Sequence, residues 1–480
     1  MNIRMILYFL GWVMNIEAVL MLLPCIAALL YGESCGLYFV VTMAACGGLG
    51  ILATFRKPEN TVFYAREGFV CVALSWVVLS FFGALPFFLS GEIPVFEDAL
   101  FEVISGFTTT GSSILPSVEA LSRCMLLWRS FTHWIGGMGV IVFMLAVLPL
   151  VGGGYNMHIM RAESPGPSVG KLVPKVRATA KILYLLYFGL TLVQITLLLL
   201  SGMPIFDTLC LSFGTAGTGG FGILNDSIAS YTRWQQTIFT VFMIVFGVNF
   251  NVYYLFWMHK PKDALGCEEA RAYLGIIALA ILAIGWNIRH LFPSLLDAFH
   301  HAAFQVATVI TTTGYATADF DLWPEFSKTI LVLLMFIGAC AGSTGGGVKV
   351  SRVLIALKQI KKELGTLFHP QSVKTLRMEG KKLEHGVVRS VNAYFMAYVI
   401  VFAISLLIVS LDNFDFTTNF TAVAATINNI GPGLAKVGPS CNWSGFSPVS
   451  KYVFMFDMLA GRLEVFPMLL LFAPNTWRKQ

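Results

Sequence analysis

Two eleven-residue stretches, Phe101–Gly111 (FEVISGFTTTG) and Phe304–Gly314 (FQVATVITTTG), repeat one pattern without a gap: F-[EQ]-V-x-[ST]-x-[FI]-T-T-T-G. A third relative, Ala216–Gly222 (AGTGGFG), lies between them, and a diverged fourth, Asn428–Gly433 (NNIGPG), ends the series. This alignment sets Gly111, Gly219, Gly314 and Gly431 opposite one another. A chain that aims successive carbonyls inward must visit positive φ, which glycine does at least cost. Threonine beside it adds hydroxyl oxygens and a side chain stiff at χ1. Four such segments around one axis would surround a cavity with oxygens able to replace the water shell of a cation. The candidate ion-binding residues are therefore Thr109, Thr110 and Gly111; Gly217, Thr218 and Gly219; Thr312, Thr313 and Gly314; and Asn429, Ile430 and Gly431. This is chemistry for passing an ion. No HExxH or pair of intramembrane aspartates is present, so neither an enzyme nor a bound organic cofactor is expected.

The elements that must position these segments are legible in the apolar pattern. Hydrophobic residues make up 56% of the chain and charged residues 12%, half the share of an ordinary soluble domain. Ten apolar runs are read as spans: 5–31, 36–55, 68–90, 124–150, 182–201, 236–258, 272–288, 328–341, 391–411 and 452–473. Each Thr/Gly segment follows a long span, a turn and a shorter apolar stretch, and precedes another long span. Irregular backbone at membrane depth is tolerated only where protein or a wet cavity surrounds it, so the short stretches read as re-entrant half-helices. Their C-terminal ends would turn negative dipoles toward the ion, with Asp98 and Asp207 at the opposite ends. The fold class expected is an all-α polytopic membrane protein: four M1–P-loop–M2 repeats around a central pore, plus two N-terminal transmembrane helices. The units are drawn at 1–58 (N-terminal pair), 59–155, 156–262, 263–365 and 366–480, the last with a cytoplasmic linker before its repeat.

Most of the 32 Lys and Arg residues fall in 56–66, 161–181, 260–271, 349–389 and 478–479, with Arg4 at the start. That bias puts both termini in the cytoplasm. The first apolar run is too long for a signal peptide h-region and is read as a retained helix. The basic residues are dispersed over separate loops, which gives no nucleic-acid surface. The nine cysteines contain no CxxC pair and are expected to pack, without metal site or disulfide framework. The pair His300-His301 is expected to pack or cap.

Two features stand apart from the Thr/Gly segments. Five of the ten residues Gly338–Gly347 are glycine, too many for a stable helix, so an irregular loop is expected inside the third repeat just below the Thr/Gly level. Arg462 lies within the last apolar run, where a cation costs at least about 2.5–3.5 kcal/mol unless it faces protein or water. Arg462 and Glu464 are the strong midplane charges on this reading.

With these residues on the page, the chain resembles the Trk/Ktr/HKT superfamily of potassium transporters, and within it the TrkH/TrkG-type bacterial subunits. Arg129–Gly139 (RSFTHWIGGMG), Gly247–Asn251 (GVNFN) and Gly338–Lys349 carry the likeness beyond the Thr/Gly segments, as does the N-terminal helix pair. The resemblance implies potassium uptake across a bacterial inner membrane by a homodimer with one pore per protomer. It implies gating by a cytoplasmic ring of TrkA-like, nucleotide-binding RCK-type subunits, for which 349–389 is the expected docking surface. It makes the glycine run an intramembrane gating loop, with Gly342, Gly345, Gly346, Gly347 and Lys349 as gating residues. Arg462 becomes an electrostatic barrier below the filter, partnered by Glu464 or by loop carbonyls. Glycine at 111, where sodium-carrying plant members have serine, favours potassium. A coupled transporter moving potassium with protons or sodium is the alternative.

Overall fold

Three helices recur four times along the chain in the computed structural model, which describes residues 1–59, 64–137, 139, 176–371 and 375–477. An outer helix comes first: Ala65–Ser90, Val176–Leu200, Glu268–Asn287 and His385–Val409 in the four repeats. These are 20 to 26 residues long, enough at ~1.5 Å per residue to cross a hydrocarbon core. A half-helix follows: Phe96–Phe107, Ile205–Gly217, Leu295–Ile310 and Phe416–Ile427. At 12 to 16 residues none can span. An inner helix completes each repeat: Arg123–Gly137, Arg233–Gly247, Glu325–Ile337 and Pro448–Arg462. The N-terminal pair, Ile3–Leu20 running on into Leu22–Tyr31 and then Gly36–Thr54, stands outside this pattern. The fold is thus the expected one of four pore-loop repeats and two leading helices.

Each half-helix has an acid at its N-terminal end, where the helix dipole favours negative charge. Asp98 pairs with Lys451 of the fourth inner helix at 2.5 Å, and Asp297 with Arg233 of the second at 2.6 Å. Asp207 accepts from the Tyr231 hydroxyl at 3.0 Å, and Asp415 caps Phe416–Ile427 through the Thr418 N–H at 2.9 Å. The half-helices are therefore tied at their outer ends, three of them to an inner helix or the residues that lead into it.

The ten-span reading needs correction at the inner helices. Among the described residues six helices are long and apolar enough to cross alone, with a seventh if Arg233–Gly247 and Phe250–Trp257 count as one span bent by 89°. The run 236–258 breaks at Val248, whose backbone is extended, and Asn249 caps the next helix. The run 328–341 ends at Ile337, where the glycine loop begins. The run 452–473 breaks after Arg462, with Glu464 and Val465 both at positive φ (63° and 65°). Hydropathy averages over a window and does not register a two-residue break in an apolar string. Most of the run 124–150 beyond Gly137, most of the basic segment 161–181, the boundary drawn at 155 and residues 478–480 lie outside the described residues.

The N-terminal pair packs by close backbone approach. A β-carbon on Gly11 would lie 2.7 Å from the Ala53 β-carbon and 2.9 Å from the Gly50 carbonyl oxygen, contacts only a small residue permits. Gly11→Leu should therefore prise the two helices apart and destabilise the protein by roughly 1–3 kcal/mol. The measurement is the thermal unfolding midpoint in detergent, and an unchanged midpoint would refute the packing argument.

Candidate functional site

The four half-helices end in the same way. A residue within two positions of each helix end, Thr109, Thr218, Thr312 or Asn429, adopts the left-handed conformation at φ 55–58°. Its N–H bonds the carbonyl three residues back, and the next N–H reaches five back: Thr110 to Ser105, Gly219 to Gly214, Thr313 to Thr308, Ile430 to Ala425, all at 2.8–2.9 Å. This double closure is the Schellman arrangement that normally takes glycine. Three threonines hold it here, at about 1–2 kcal/mol of strain each. Strain of that kind in β-branched residues marks a place where surrounding structure dictates the backbone.

The glycine two residues on also has positive φ: Gly111 (83°), Gly220 (80°), Gly314 (92°) and Gly431 (98°). The register drawn from sequence for the second repeat is therefore off by one. Gly220 is the structural counterpart of Gly111, Gly219 matches Thr110, and Gly217 ends its half-helix. Aligning Thr218-Gly219-Gly220 directly on Thr109-Thr110-Gly111 would have found it, but two adjacent glycines leave the choice open to pattern matching alone.

These glycines interlock in a closed ring. A β-carbon on Gly111 would strike the Gly219 carbonyl oxygen, one on Gly220 that of Thr313, one on Gly314 that of Ile430, and one on Gly431 that of Thr110. Each repeat thus lays its glycine on the carbonyl before the next repeat's glycine, and the fourth returns to the first. The Asn429 amide adds a bond to the Thr110 hydroxyl (3.0 Å) and another to the Met458 carbonyl (2.8 Å). The hydroxyls of Thr108 and Thr110 pair at 2.8 Å, as do those of Thr311 and Thr313 at 2.7 Å. Thus four of the six threonine hydroxyls in repeats one and three pair with one another. The Thr109 hydroxyl is buried without a partner among the described residues.

Side chains outside the candidate set brace the ring. His133 receives the Phe221 N–H at Nε2 (3.2 Å), which leaves Nδ1 to donate to the Gly106 carbonyl (2.7 Å). Its ring fills the space a side chain on residue 219 would need, which explains glycine there. Arg129, buried, pairs with Glu102 at 2.6 Å, donates to the Gly222 carbonyl at 2.8 Å and lies 3.5 Å over the Phe221 ring. Glu102 in turn accepts from Ser113 (2.9 Å) and the Ile114 N–H (3.0 Å), so one ion pair holds the exits of segments one and two. The sequence signal for Glu102 was its match to Gln305 in the repeat, whose amide donates to the Ala318 carbonyl at 3.2 Å in the corresponding exit.

The glycine loop lies against the underside of segments three and four. The Gly346 N–H donates to the Thr312 hydroxyl at 2.6 Å. Added β-carbons would meet the Thr311 carbonyl oxygen from Gly345 (2.9 Å) and the Asn428 carbonyl oxygen from Gly346 (2.7 Å). Gly342 and Gly347 supply positive φ, and so, unexpectedly, does Lys349, whose buried ammonium folds back on the Gly345 carbonyl. The Gly342 carbonyl accepts from the Phe250 N–H at 3.1 Å, seating the loop in the break of the second inner helix.

Arg462 reaches across this level from the fourth repeat to the Thr344 carbonyl of the loop (2.8 Å) and the Gly136 and Gly137 carbonyls of the first inner helix (3.0 Å to Gly137). Of the two partners expected for it, the loop carbonyl is found and Glu464 is not. Glu464 pairs with Arg352 at 2.5 Å, and Arg352 stacks on Tyr394. Nor are Arg462 and Glu464 the only ionisable residues at depth: Asp457, bonded to Ser405 at 2.7 Å, is fully buried in the fourth inner helix, and Glu17 in the first N-terminal helix. Elsewhere, His300 bonds Gln236 (2.8 Å) and His301 stacks on Phe292, the packing roles expected of them. Glu33, Cys35 and Cys124 bring possible ligand atoms within 4.8 Å of one another, a cluster not foreseen from the cysteine spacing. Both Glu33 oxygens already accept N–H groups of Arg123 and Cys124 at 2.8 and 2.9 Å, so the carboxylate caps the first inner helix.

The family model TrkH, cation transport protein, matches residues 37–280 and 274–479. The chain is 36% identical to the Trk system potassium uptake protein TrkH of Salmonella typhimurium over the full length of both. It is 33% identical to the Trk system potassium uptake protein TrkG of Escherichia coli over 99% of each. The crystal structure of the potassium transporter TrkH from Vibrio parahaemolyticus superposes with a TM-score of 0.89, at 34% identity and complete coverage of both chains.

The Glu102–Arg129 pair yields a stability prediction. Glu102→Leu strands a buried guanidinium and should cost about 3–5 kcal/mol, whereas Glu102→Leu with Arg129→Met removes both charges and should be the more stable variant. Detergent thermal melts of the single and double variants decide it; a double variant no better than Glu102→Leu would show that the charge is not what matters.

Proposed function

Because the chain belongs to the TrkH family of cation transport proteins, we propose that the interlocked ring is the selectivity filter of a potassium-uptake pathway. The observation that carries this reading is the closure of the ring: four glycines at positive φ, each seated on a carbonyl of the next repeat. Backbone so constrained offers a fixed set of oxygens to a dehydrated cation. Four half-helices end at it, adding their negative dipole ends. The ion-binding residues on this reading are Thr109, Thr110 and Gly111; Thr218, Gly219 and Gly220; Thr312, Thr313 and Gly314; and Asn429, Ile430 and Gly431. Gly217 of the sequence-based set moves to the helix end.

The glycine loop and Arg462 form the gate below it. Gly342, Gly345, Gly346 and Gly347 let the loop bend close under the filter, Lys349 ties its end, and Arg462 places a fixed positive charge beside the path. The five units drawn at 1–58, 59–155, 156–262, 263–365 and 366–480 follow the repeat pattern. The setting is a bacterial inner membrane with both termini cytoplasmic, from the Lys/Arg bias. Assembly as a homodimer and control by a nucleotide-binding RCK-type ring at 349–389 extend the reading by family likeness. Coupling to protons or sodium is the weaker reading, because Asp457 is bonded to Ser405 of the outer helix and not to a filter segment.

Two experiments test this. In cells lacking their own potassium systems, rubidium or potassium uptake should be restored by the wild type. Gly111→Ser, Gly220→Ser and Gly314→Ser should each lower potassium over sodium discrimination by about tenfold, since each forces a β-carbon onto a neighbouring carbonyl at positive φ. No wild-type uptake, or unchanged discrimination in all three, would sink the filter assignment. Arg462→Ala should raise flux by about tenfold, the effect of removing ~1.4 kcal/mol of barrier. Unchanged flux from well-folded protein would exclude a barrier role.

A further inference from the structure

The second helix-capping carboxylate in the third repeat sits at the far end of a short relay from the cytoplasm. The outer helix Glu268–Asn287 begins at Cys267, which supplies no side-chain cap. Its first donors are satisfied from another part of the chain. Glu379 Oε1 accepts the Glu268 N–H at 2.9 Å, the Glu269 N–H at 3.4 Å and the Cys267 thiol at 3.3 Å. Glu379 occupies the turn of a two-stranded hairpin, Arg377–Met378 paired with Lys381–Lys382. Both turn residues, Glu379 and Gly380, have positive φ (52° and 72°), as a two-residue type I′ turn requires. The grip is returned: Glu268 accepts from the Glu379 N–H (3.3 Å) and from Lys358 (2.5 Å), which also donates to the Arg377 carbonyl (2.9 Å).

One residue further on, Glu269 is buried and faces the loop. Its Oε1 accepts from the Ala341 N–H at 2.7 Å and the Ser351 N–H at 3.1 Å, so a single oxygen ties the glycine run to the start of the helix Val350–Phe368 that follows it. Its Oε2 takes the Asn249 amide at 3.4 Å, in the break of the second inner helix. Nothing in the filter or the barrier requires these contacts. They connect an exposed cytoplasmic hairpin to the loop through a single helical turn, because Glu268 and Glu269 move together.

We propose that Glu269 is the positioning residue that clamps the loop beneath the filter, and that the hairpin bearing Glu379 is the handle that sets this clamp. Displacing the hairpin uncaps the outer helix, shifts Glu269 and frees Ala341 and Ser351. Arg377, Lys381 and Lys382 are exposed on the hairpin, so the surface that would pull it is acidic. This rests on the pore reading above and adds its control.

The test uses the full chain in liposomes, with potassium flux measured for single and double variants. Glu379→Ala should raise flux about fivefold or more, the range of ordinary coupling energies. Glu379→Gln, which keeps an acceptor oxygen, should behave as wild type. Lys358→Met, cutting the hairpin's second tie from a partly exposed site, should raise flux in the same direction and serves if Glu379→Ala does not fold. Glu269→Ala, which removes the acceptor, should raise flux by itself. In that background Glu379→Ala and Lys358→Met should add less than about twofold, because their effect passes through Glu269. Potassium over sodium discrimination should stay at the wild-type value throughout, which general damage to the fold would not leave intact. Unchanged or lowered flux in folded hairpin variants, or effects that multiply fully with Glu269→Ala, would overturn the relay. A wild type without flux would instead overturn the pore reading.

Discussion

A peptide group left unpaired inside a bilayer costs several kcal/mol, so a chain that stops being helical at depth must account for every N–H and C=O it frees. Four half-helices stop at one level in this protein, and each solves the problem with the same pair of bonds. The closure spends two N–H groups on carbonyls of the helix just ended. It turns the chain through the left-handed region and leaves the next carbonyl against the glycine of the adjoining repeat. The ring follows from that turn. Without the left-handed residue the helix would run on, and without the glycine two positions later the neighbouring carbonyl would have no room.

The same constraint explains what lies below. A pore cannot continue through a helix, so inner helices that line it must end or bend where the path needs space. The second bends at Val248, the third dissolves into the glycine run and the fourth breaks after Arg462. Each break exposes backbone groups, and each is answered by another break. Gly247 and Phe246 carbonyls take the Cys340 and Thr344 N–H groups, and Gly342 takes that of Phe250. Arg462 covers the Thr344, Gly136 and Gly137 carbonyls with a charge that needs acceptors as much as they need donors. A loop held by such exchanges can be released by replacing one partner, which a continuous helix cannot.

Periodicity and composition carried the architecture a long way. The gapless match of Phe101–Gly111 to Phe304–Gly314 located two of four segments, and the span–half-helix–span order followed from run lengths alone. The loop was visible because five glycines in ten defeat any helix. What stayed hidden depended on partners distant in sequence. The register of the second segment turns on the His133 ring, 87 residues or so before Gly220. The breaks at Val248 and Leu463 lie in apolar strings that read as continuous. Glu464 was assigned to Arg462 by nearness in the chain, yet it bonds Arg352 across 112 positions. Glu269 looks in sequence like any acid at a helix start, and its bonds to Ala341 and Ser351 belong to tertiary structure.

The repeats are unequal because one chain, unlike a symmetric tetramer, can assign each a different task. The first carries Arg129, Glu102 and His133, which fix segments one and two to each other. The third and fourth carry the loop and Arg462, and Gly345 and Gly346 lie against Thr311, Thr312, Asn428 and Asn429 of segments three and four. The buried ion pair and His133 bonds therefore lie on one side of the ring and the loop contacts on the other. A loop that shifts would unload segments three and four while one and two keep the geometry of the oxygens. On the proposed reading of the ring as filter and the loop as gate, that division lets the two touch while segments one and two keep their own bracing.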